Sequence, residues 1–333
     1  MRRLLVIPVL VLALAIAWFI YQLRHHPSME PYQRYFITQT LAPPEVEPLS
    51  LTFFGVSTAL ISDGTTALMT DGFSTRPPLH KLLPGAKIAP DPQVIARSLE
   101  RADVRTLAAV LVLHSHFDHA MDAPEVARQT GALLVGSSSS ANVGRGWGLP
   151  EEQIRTVETG RPQSFGNFTV TFFRSRHVPL PLERWTLGQE ITEPLVPPTS
   201  ALAYKEGGSY SVLIEHPLGN ILVQGSAGYV EGALAGRQAD VVLLGIGALG
   251  RSDRSYKDAY FREIVEAVAA KRIIPIHYDD FTLPLDQPLR PFPPLFDDVA
   301  RSMAYLIERT EADPGLRLEL LPLWKKIALI EGG

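Results

Sequence analysis

The chain has 333 residues, of which 46% are hydrophobic and 20% charged, with a formal net charge of −4 at pH 7. This length accommodates one large domain or two average ones, and the charge disfavours both a disordered acidic protein and a basic nucleic-acid binder. The absence of cysteine excludes disulfide scaffolds, thiolate zinc sites, iron–sulfur clusters and a lipidated cysteine. Any metal ion must therefore be bound by His, Asp or Glu.

The N-terminal segment is strongly apolar. Arg2 and Arg3 precede an uncharged run from Leu4 to Tyr21, which as a helix would extend about 27 Å, close to the ~30 Å hydrocarbon core of a bilayer. Residues 1–26 are therefore predicted to form one transmembrane helix that anchors the protein. Residues 27–50 are interpreted as a tether and residues 51–333 as the main domain.

The basic N-terminus also predicts a location for the main domain. Positive charge before an apolar helix favours the cytoplasmic side, which would leave the domain on the extracytoplasmic, periplasmic side. The small-x-small pattern that ends at Ala17 is compatible with a cleaved signal peptide and a secreted protein, so that alternative stays open.

The remaining sequence predicts short strands that alternate with helices. Strands are expected at 51–54, 58–62, 66–70, 108–113, 132–135, 168–174, 211–215, 221–224, 241–244 and 273–276. Helices are expected at 92–101, 124–130, 258–271 and 297–309. Early hairpin strands followed by this alternation are typical of a layered α/β protein with a mixed sheet.

The segment from Leu113 to His119 carries a dense cluster of titratable side chains. Because residues two apart in an extended chain face the same side, His114 and His116 can meet one cation. Asp118 and His119 follow where a helix is about to begin, so they can turn toward a second cation beside the first. Burying so many titratable groups without a cation would be costly. The pattern therefore predicts a metal site, for which zinc is the first choice.

This cluster resembles the HxHxDH motif of the metallo-β-lactamase superfamily, and the resemblance extends from about Leu51 to the C-terminus. The pairs Phe54-Gly55 and Phe73-Ser74, with Ala67 to Asp71 between them, resemble the opening strands and turn of one branch. That branch contains ascorbate-phosphate lactonases and N-acyl-phosphatidylethanolamine phospholipase D-like hydrolases. The resemblance implies a four-layer αββα sandwich and a metal-dependent hydrolase.

The resemblance also implies the ligands of one or two Zn²⁺ ions, with Mn²⁺ or Fe²⁺ as alternatives. His177 and His277 each follow a predicted strand, the place where this family presents its remaining ligands. Asp71 would fix the tautomer of a ligating histidine, and Asp118 and His277 would also take part in catalysis. Position by position, the first metal would be held by His114, His116 and His177, and the second by Asp118, His119 and His277.

The sequence departs from the family pattern at Ser226, where an aspartate normally bridges the two metals. A neutral hydroxyl is a weak ligand, so a weakened site is expected, chiefly at the second metal. One metal could suffice, or another carboxylate such as Asp279, Asp280 or Asp286 could be recruited. Val56 is a second departure, because the lipid-hydrolase-like branch often has histidine there.

Two apolar, proline-rich stretches follow His177 and His277 and would form a lid or an apolar funnel at the metal site. The side chains expected there are Leu180, Leu182, Trp185, Leu187, Leu283, Leu285, Phe292 and Phe296. The resulting prediction is a membrane-anchored metal-dependent hydrolase of a phosphodiester in a small, lipid-like substrate. A lactone or other ester is the alternative substrate, and Ser226 keeps open a non-enzymatic metal- or ligand-binding envelope protein. The oligomeric state is left open.

Overall fold

The computed structural model describes residues 2–38, 49–179 and 186–330. In this part of the chain, strands occupy β1 (Leu49–Phe53), β2 (Ala59–Ser62), β3 (Ala67–Thr70), β4 (Ala109–Leu111), β5 (Leu133–Gly136), β6 (Ile154–Thr156), β7 (Gln163–Phe165), β8 (Phe168–Ser175), β9 (Ser209–Glu215), β10 (Ile221–Gln224), β11 (Val241–Gly245), β12 (Arg272–Ile276), β13 (Arg317–Leu318) and β14 (Lys326–Ile330). The α-helices are α1 (Arg2–Arg24), α2 (Pro92–Arg101), α3 (Phe117–Ala120), α4 (Ala123–Thr130), α5 (Ser138–Trp147), α6 (Arg254–Ile264) and α7 (Val299–Ala312).

The strands form two seven-stranded mixed sheets. The first has the order β14-β1-β2-β3-β4-β5-β6, and the second β13-β12-β11-β10-β9-β8-β7. Strands β3 to β6 run parallel, as do β10 to β13, whereas the hairpin strands β1–β2–β3 and β7–β8–β9–β10 pair antiparallel. The predicted layered α/β fold is confirmed, and its two mixed sheets agree with the sandwich that the resemblance implied.

Apolar side chains form two cores around these sheets. One combines residues of both sheets with α6 and α7, including Phe172, Val223 and Met303. The other joins the first sheet to α2, α4 and α5, including Val110 and Val126. Each sheet thus buries apolar side chains against the other sheet and against its own helices, as layered α/β folds require.

Helix α5 occupies a stretch whose serines and glycines gave no helical prediction. Ser137 caps its first turn by accepting a hydrogen bond from the backbone N–H of Ser140 at 3.1 Å, and Gly148 ends it in the left-handed conformation. A Cβ on Gly146 would lie 1.9 Å from the carbonyl oxygen of Leu195. The glycine therefore permits close packing of this helix on a neighbouring loop.

The N-terminal transmembrane helix is a wrong prediction. Residues Arg2–Arg24 do form a helix, α1, but no helix among the described residues is both long and apolar enough to cross a bilayer.

The chain after α1 lies against the domain. His26 Nδ1 lies 3.0 Å from the carbonyl oxygen of Pro291. Beyond a short 3₁₀ turn at Glu30–Tyr35, the backbone N–H of Ile37 donates to the carbonyl oxygen of Leu320 at 2.9 Å. These contacts place His26 beside the loop that precedes α7, and Ile37 of the predicted tether beside the segment that precedes β14; residues 39–48 lie outside the described residues.

Candidate active site

The predicted metal ligands meet where strands of both sheets end. Strand β4 leads to His114 and His116, β8 leads to His177, and β12 leads to His277, while the single turn of α3 carries Asp118 and His119. Two groups of three potential ligands result, and within each group the ligand atoms lie within 4.8 Å of one another. The first triad is His114, His116 and His177, and the second triad is Asp118, His119 and His277.

The first triad consists of three imidazoles with converging nitrogens. Nε2 of His114 lies 3.2 Å from Nδ1 of His116, and the His116 and His177 ring centroids are 4.8 Å apart. The Nδ1–H of His177 donates to the carbonyl oxygen of Val178 at 2.9 Å, which makes Nε2 its acceptor nitrogen. Nε2 of His116 is buried without a hydrogen-bond partner among the described residues. A buried orphan nitrogen of this kind fits a metal ligand.

The second triad combines one carboxylate with two imidazoles. Nε2 of His277 lies 3.2 Å from both Nε2 of His119 and Oδ2 of Asp118. Nδ1 of His119 donates to Oδ2 of Asp71 at 2.8 Å, so Nε2 of His119 points its lone pair at the other two ligands. Ser57 Oγ donates to the same Asp71 oxygen at 2.5 Å and lies 2.9 Å from Nδ1 of His119.

Asp71 connects the second triad to the first sheet. Its Oδ1 accepts the backbone N–H of Leu113 at 2.8 Å, so one carboxylate holds both the end of the β4 segment and His119. Asp71 itself has a φ of 54° and His277 a φ of 57°, left-handed values that are uncommon for such residues. The backbone N–H of His277 donates to the carbonyl oxygen of Val56 at 2.6 Å. Strained backbone held by hydrogen bonds is frequent at functional sites.

Burial makes the first triad suitable for binding a cation. Desolvation, reinforced by neighbouring histidines, holds the pKa values of His114 and His116 well below the usual value of 6.5. Desolvation also lowers the pKa of His177 to about 4. All three rings are therefore neutral at pH 7, the form that ligates metal ions.

Asp118 and His277 shift each other's pKa in opposite directions. Burial opposes ionisation of Asp118, but the charge of His119 and the hydrogen bond from His277 outweigh it and lower the pKa of Asp118. For His277, burial favours the neutral ring, yet the hydrogen bond to Asp118 and its charge raise the pKa above 6.5. The second triad therefore contains an ionised carboxylate, which the first triad lacks.

Ser226 lies at the wall of the same site. Its Oγ accepts the backbone N–H of Val178 at 3.0 Å, next to His177. The carboxylates considered as replacements are elsewhere: Asp279 pairs with Arg76 at 2.6 Å, Asp280 accepts from Thr282 at 2.6 Å, and Asp286 is exposed. Among the described residues, neither group of potential ligands includes these three carboxylates.

A cavity of about 350 Å³ opens above both triads. Its wall includes His116, His177, Asp118 and His277, two members of each triad. The remaining lining residues are Leu79, Leu82, Phe117, Val178, Thr186, Ala201, Leu202, Tyr204, Ser226, Gly247, Ala248, Phe281, Thr282, Phe292, Phe296 and Asp297. The wall is therefore mostly apolar, as small-molecule sites usually are.

The predicted funnel is correct in part. Phe292 and Phe296 line the cavity, whereas Leu187, Leu283 and Leu285 do not; Leu180, Leu182 and Trp185 lie outside the described residues. Sequence reasoning missed Ser57 and Asp297. A serine near a predicted turn and an aspartate at the start of a predicted helix carry no local signal of a site, because only the fold brings them to the histidines.

Comparison with known proteins identifies the family. The model of the beta-lactamase superfamily domain matches residues 88–278, a range that contains both triads. The chain belongs to the beta-lactamase superfamily. This membership agrees with the resemblance seen in the HxHxDH motif, and it applies to more than half of the chain.

Relatives with related names and a solved structure of similar fold agree with this assignment. A UPF0173 protein of Pyrococcus abyssi is 25% identical over 194 residues, which cover 58% of this chain and 75% of that protein. A UPF0173 metal-dependent hydrolase of Heliobacterium modesticaldum is 31% identical over 94 residues, 28% of this chain and 32% of that protein. Igni18, a metallo hydrolase of Ignicoccus hospitalis, shares the fold with a TM-score of 0.51 at 15% identity, covering 84% of this chain and 97% of that one. The chain is accordingly a metal-dependent hydrolase with the metallo-β-lactamase fold.

Proposed function

We propose that this superfamily member uses Zn²⁺ at the two triads to hydrolyse an ester-type bond in a small amphipathic substrate. The observation that carries the proposal is the cavity, which is lined by two members of each ligand triad and mostly by apolar side chains elsewhere. Imidazole and carboxylate ligands suit zinc, with Mn²⁺ and Fe²⁺ as alternatives. When bound, such a cation supplies an activated water and positive charge for the developing oxyanion.

The chain's own residues have separate roles in this proposal. Asp118 stays ionised, because its pKa is held low, and its carboxylate orients the attacking water and takes up the water proton at Oδ2. Nε2 of His277 lies 3.2 Å from that oxygen; with a cation bound, this nitrogen would be a ligand beside Asp118 rather than a hydrogen-bond donor to it. Asp71 keeps the Nδ1 proton on His119, which presents Nε2 as the ligand atom.

A phosphodiester is the first candidate for the reacting bond. Two cations side by side can hold both the attacking and the leaving oxygen of an in-line displacement at phosphorus. The two triads adjoin one another, since the His114 and His119 ring centroids are 3.7 Å apart. This proximity supports two-cation chemistry in spite of Ser226.

A carboxylic ester or lactone is the second candidate, and a different observation favours it. No lysine or arginine is found among the described residues that line the cavity, so an anionic phosphoryl group would rely on the bound cations alone for charge neutralisation. A neutral ester makes no such demand. The apolar wall suits the acyl or alkyl part of either substrate.

Chromogenic substrates test the proposal. Zinc-loaded protein is assayed with alkyl p-nitrophenyl phosphodiesters and with p-nitrophenyl carboxylic esters of matched chain length. Turnover of one class that rises with chain length is expected, because the apolar wall buries more surface with each added methylene. Absence of turnover in both classes, with metal content intact, would overturn the proposal.

The variant His116→Ala provides the mechanistic control. It removes the orphan Nε2 nitrogen of the first triad, and it should lower both cation content and turnover. His80 is exposed, so His80→Ala is the matched control variant. It should change neither cation content nor turnover. Full cation content and full turnover in His116→Ala would contradict the assigned site.

Export of the protein stays a prediction from the basic, apolar N-terminus. Cleavage near Ala17 is the form of export that we propose. N-terminal sequencing of protein recovered from the producing cell tests it, since a mature chain that begins close to residue 18 is expected.

A further inference from the structure

One polar group in the cavity wall has no role in the proposed reaction. Asp297 lines the cavity among aromatic and aliphatic side chains. Its side chain is only 5% exposed, and its Oδ1 has no hydrogen-bond partner in the described part of the chain. An unsatisfied buried carboxylate oxygen is costly, so a protein retains one only where another interaction offsets the cost.

Asp297 is held in a fixed position. Its backbone N–H donates to the carbonyl oxygen of Pro293 at 3.3 Å, and the next residue, Asp298, caps α7 by accepting the backbone N–H of Arg301 at 3.2 Å. The backbone of Asp298 packs so closely on Gly250 that a Cβ there would lie 1.9 Å from the Asp298 carbonyl oxygen. These contacts fix the backbone of Asp297 beside the start of α7 and thereby place its side chain at the cavity wall.

Neither an ion pair nor metal ligation accounts for the buried carboxylate of Asp297. It forms no ion pair with a lysine or arginine in the described residues, in contrast to buried Asp279, which pairs with Arg76 at 2.6 Å. It also belongs to neither group of potential metal ligands that these residues form. Burial raises the pKa of Asp297, although the backbone N–H groups of Ala248 and Asp298 and the charge of His277 oppose this rise. None of these groups pairs with Oδ1.

We propose that Oδ1 of Asp297 accepts a hydrogen bond from a donor group of the substrate, a hydroxyl or an ammonium, and thereby sets substrate specificity. This inference rests on the proposed function and narrows it. The substrate would combine three parts: an ester-type bond at the triads, an apolar part against the wall, and a hydrogen-bond donor near Asp297. Asp297 is thus a specificity-determining residue rather than a group that reacts.

The surrounding residues make this contact selective. Phe292 and Phe296 line the cavity with Asp297 and cannot accept a hydrogen bond through their side chains. A substrate that ends in a methyl group would leave the carboxylate oxygen desolvated and unpaired. Sites built to pair a substrate donor reject the analogue that lacks it, because the buried polar group is then unsatisfied.

The test uses matched chromogenic esters and alkyl p-nitrophenyl phosphodiesters whose chains end in methyl, hydroxyl or ammonium, over a short series of lengths. For the best chain length, the zinc-loaded full chain should show kcat/KM about tenfold or more higher for a donor-bearing substrate than for its methyl analogue. A larger gain with ammonium than with hydroxyl identifies a cationic substrate group, and the reverse identifies an alcohol; either order supports the proposal.

Variants at Asp297 decide whether this residue causes the preference. Asp297→Ala should bring the ratio of donor to methyl substrates close to one, and Asp297→Asn should lower the ammonium preference most because the charge is lost. Asp286→Asn, which removes an exposed carboxylate outside the cavity, should keep the wild-type ratio. If Asp297→Ala does not fold, Asp297→Asn carries the test alone, because it preserves size and shape.

The outcomes separate failure of the inference from failure of the proposed function. Turnover without any donor preference, or a preference that persists in Asp297→Ala and in Asp297→Asn, overturns the role of Asp297 and leaves the hydrolase proposal standing. Absence of turnover for every ester and phosphodiester overturns the proposed function, and with it the inference that depends on it.

Discussion

The two triads differ in charge and in support, although they adjoin one another. The first contains three neutral imidazoles, and its described backing includes a backbone carbonyl, that of Val178, beside His177. The second contains an ionised carboxylate, Asp118, and a histidine that is held by Asp71. The side chain at the position that would supply a shared charge, Ser226, is neutral and therefore adds no charge to either cation site.

Because of this difference in charge, the two sets of ligands in one pocket can have separate chemical roles. Neutral imidazoles hold a divalent cation without cancelling its charge, which keeps it a strong Lewis acid. In the proposed function, the second triad would place negative charge next to its cation and would provide a proton acceptor. Variants that affect cation binding at one triad but not at the other therefore test the mechanism more sharply than a simple loss of activity does.

The largest effect is expected for Asp118→Asn, which keeps the shape of the side chain and removes its charge. Turnover should fall about a thousandfold, within the range for loss of a general base, and the second triad should lose its cation. Elemental analysis should show that the first triad retains its own. If this variant and His116→Ala each remove all bound metal, the two triads bind metal as one unit, and the separate roles assigned to them are wrong.

Much of the ligand arrangement in the two triads could be predicted from the sequence. The spacing in the segment from His114 to His119 predicts two groups of ligands. Apolar, strand-like runs precede His177 and His277 in the sequence, and in the structure strands β8 and β12 end just before these two residues. These signals are local, because a short apolar run followed by a polar ligand is visible in the chain itself. The pairing of the six residues into triads rested on the family resemblance.

Other features depend on contacts between distant segments. Ser57 and Asp71 meet His119 only because β3 and β4 are neighbours, and nothing in the sequence around Ser57 indicates it. The predicted helix at 258–271 is shifted: α6 begins after Asp253, which caps it by accepting from Tyr256 N at 2.8 Å, and a 3₁₀ turn replaces its predicted end. The apolar N-terminal run illustrates the converse, because its composition predicted a membrane span, whereas no described helix is both long and apolar enough to cross a bilayer.

A second prediction compares the pKa of Asp118 with that of Asp122, a buried carboxyl group that has no cationic partner in the described part of the chain. Burial raises the pKa of Asp122 to about 6, despite hydrogen bonds from Ser74 and Thr75, whereas the pKa of Asp118 is lowered. A raised carboxyl pKa means that the native state binds more protons between about pH 4 and pH 6. Stability from this group is therefore present at low pH and is lost as the pH rises through that window, by about 3 kcal/mol.

Urea unfolding of the wild type and of Asp122→Asn across this range measures the effect. The variant should gain stability relative to the wild type as the pH rises, because its amide has no proton to lose and can still accept from both backbone N–H groups. Asp118 contributes with the opposite sign in both proteins, so it cancels in the difference. A difference that is flat with pH would show that burial does not control the pKa of Asp122.

A third prediction concerns the support of the second triad. Asp71→Asn weakens the acceptor for the Nδ1 proton of His119, and cation affinity should fall about 10- to 100-fold, the range for residues that orient metal ligands. The first triad should keep its affinity, which competition with a chromogenic chelator can resolve as a two-step titration. Ser57→Ala is the milder control, since it removes a hydroxyl but leaves the carboxylate. An equal loss at both triads would show that Asp71 stabilises the fold rather than one ligand.

The smallest effect is expected at Ser226, where the charge shared between the triads is missing. Ser226→Asp places a carboxylate on the cavity wall, and it should raise affinity for the more weakly held cation by on the order of tenfold, since opposite charges attract strongly at partly buried sites. Ser226→Asn has a similar size without charge and should not raise affinity, so the pair separates charge from shape. Both variants perturb the 3.0 Å hydrogen bond from Val178 N, which makes melting temperature the necessary companion measurement. If activity arises only in Ser226→Asp, the natural serine limits the second cation site, and the first triad alone does not support hydrolysis.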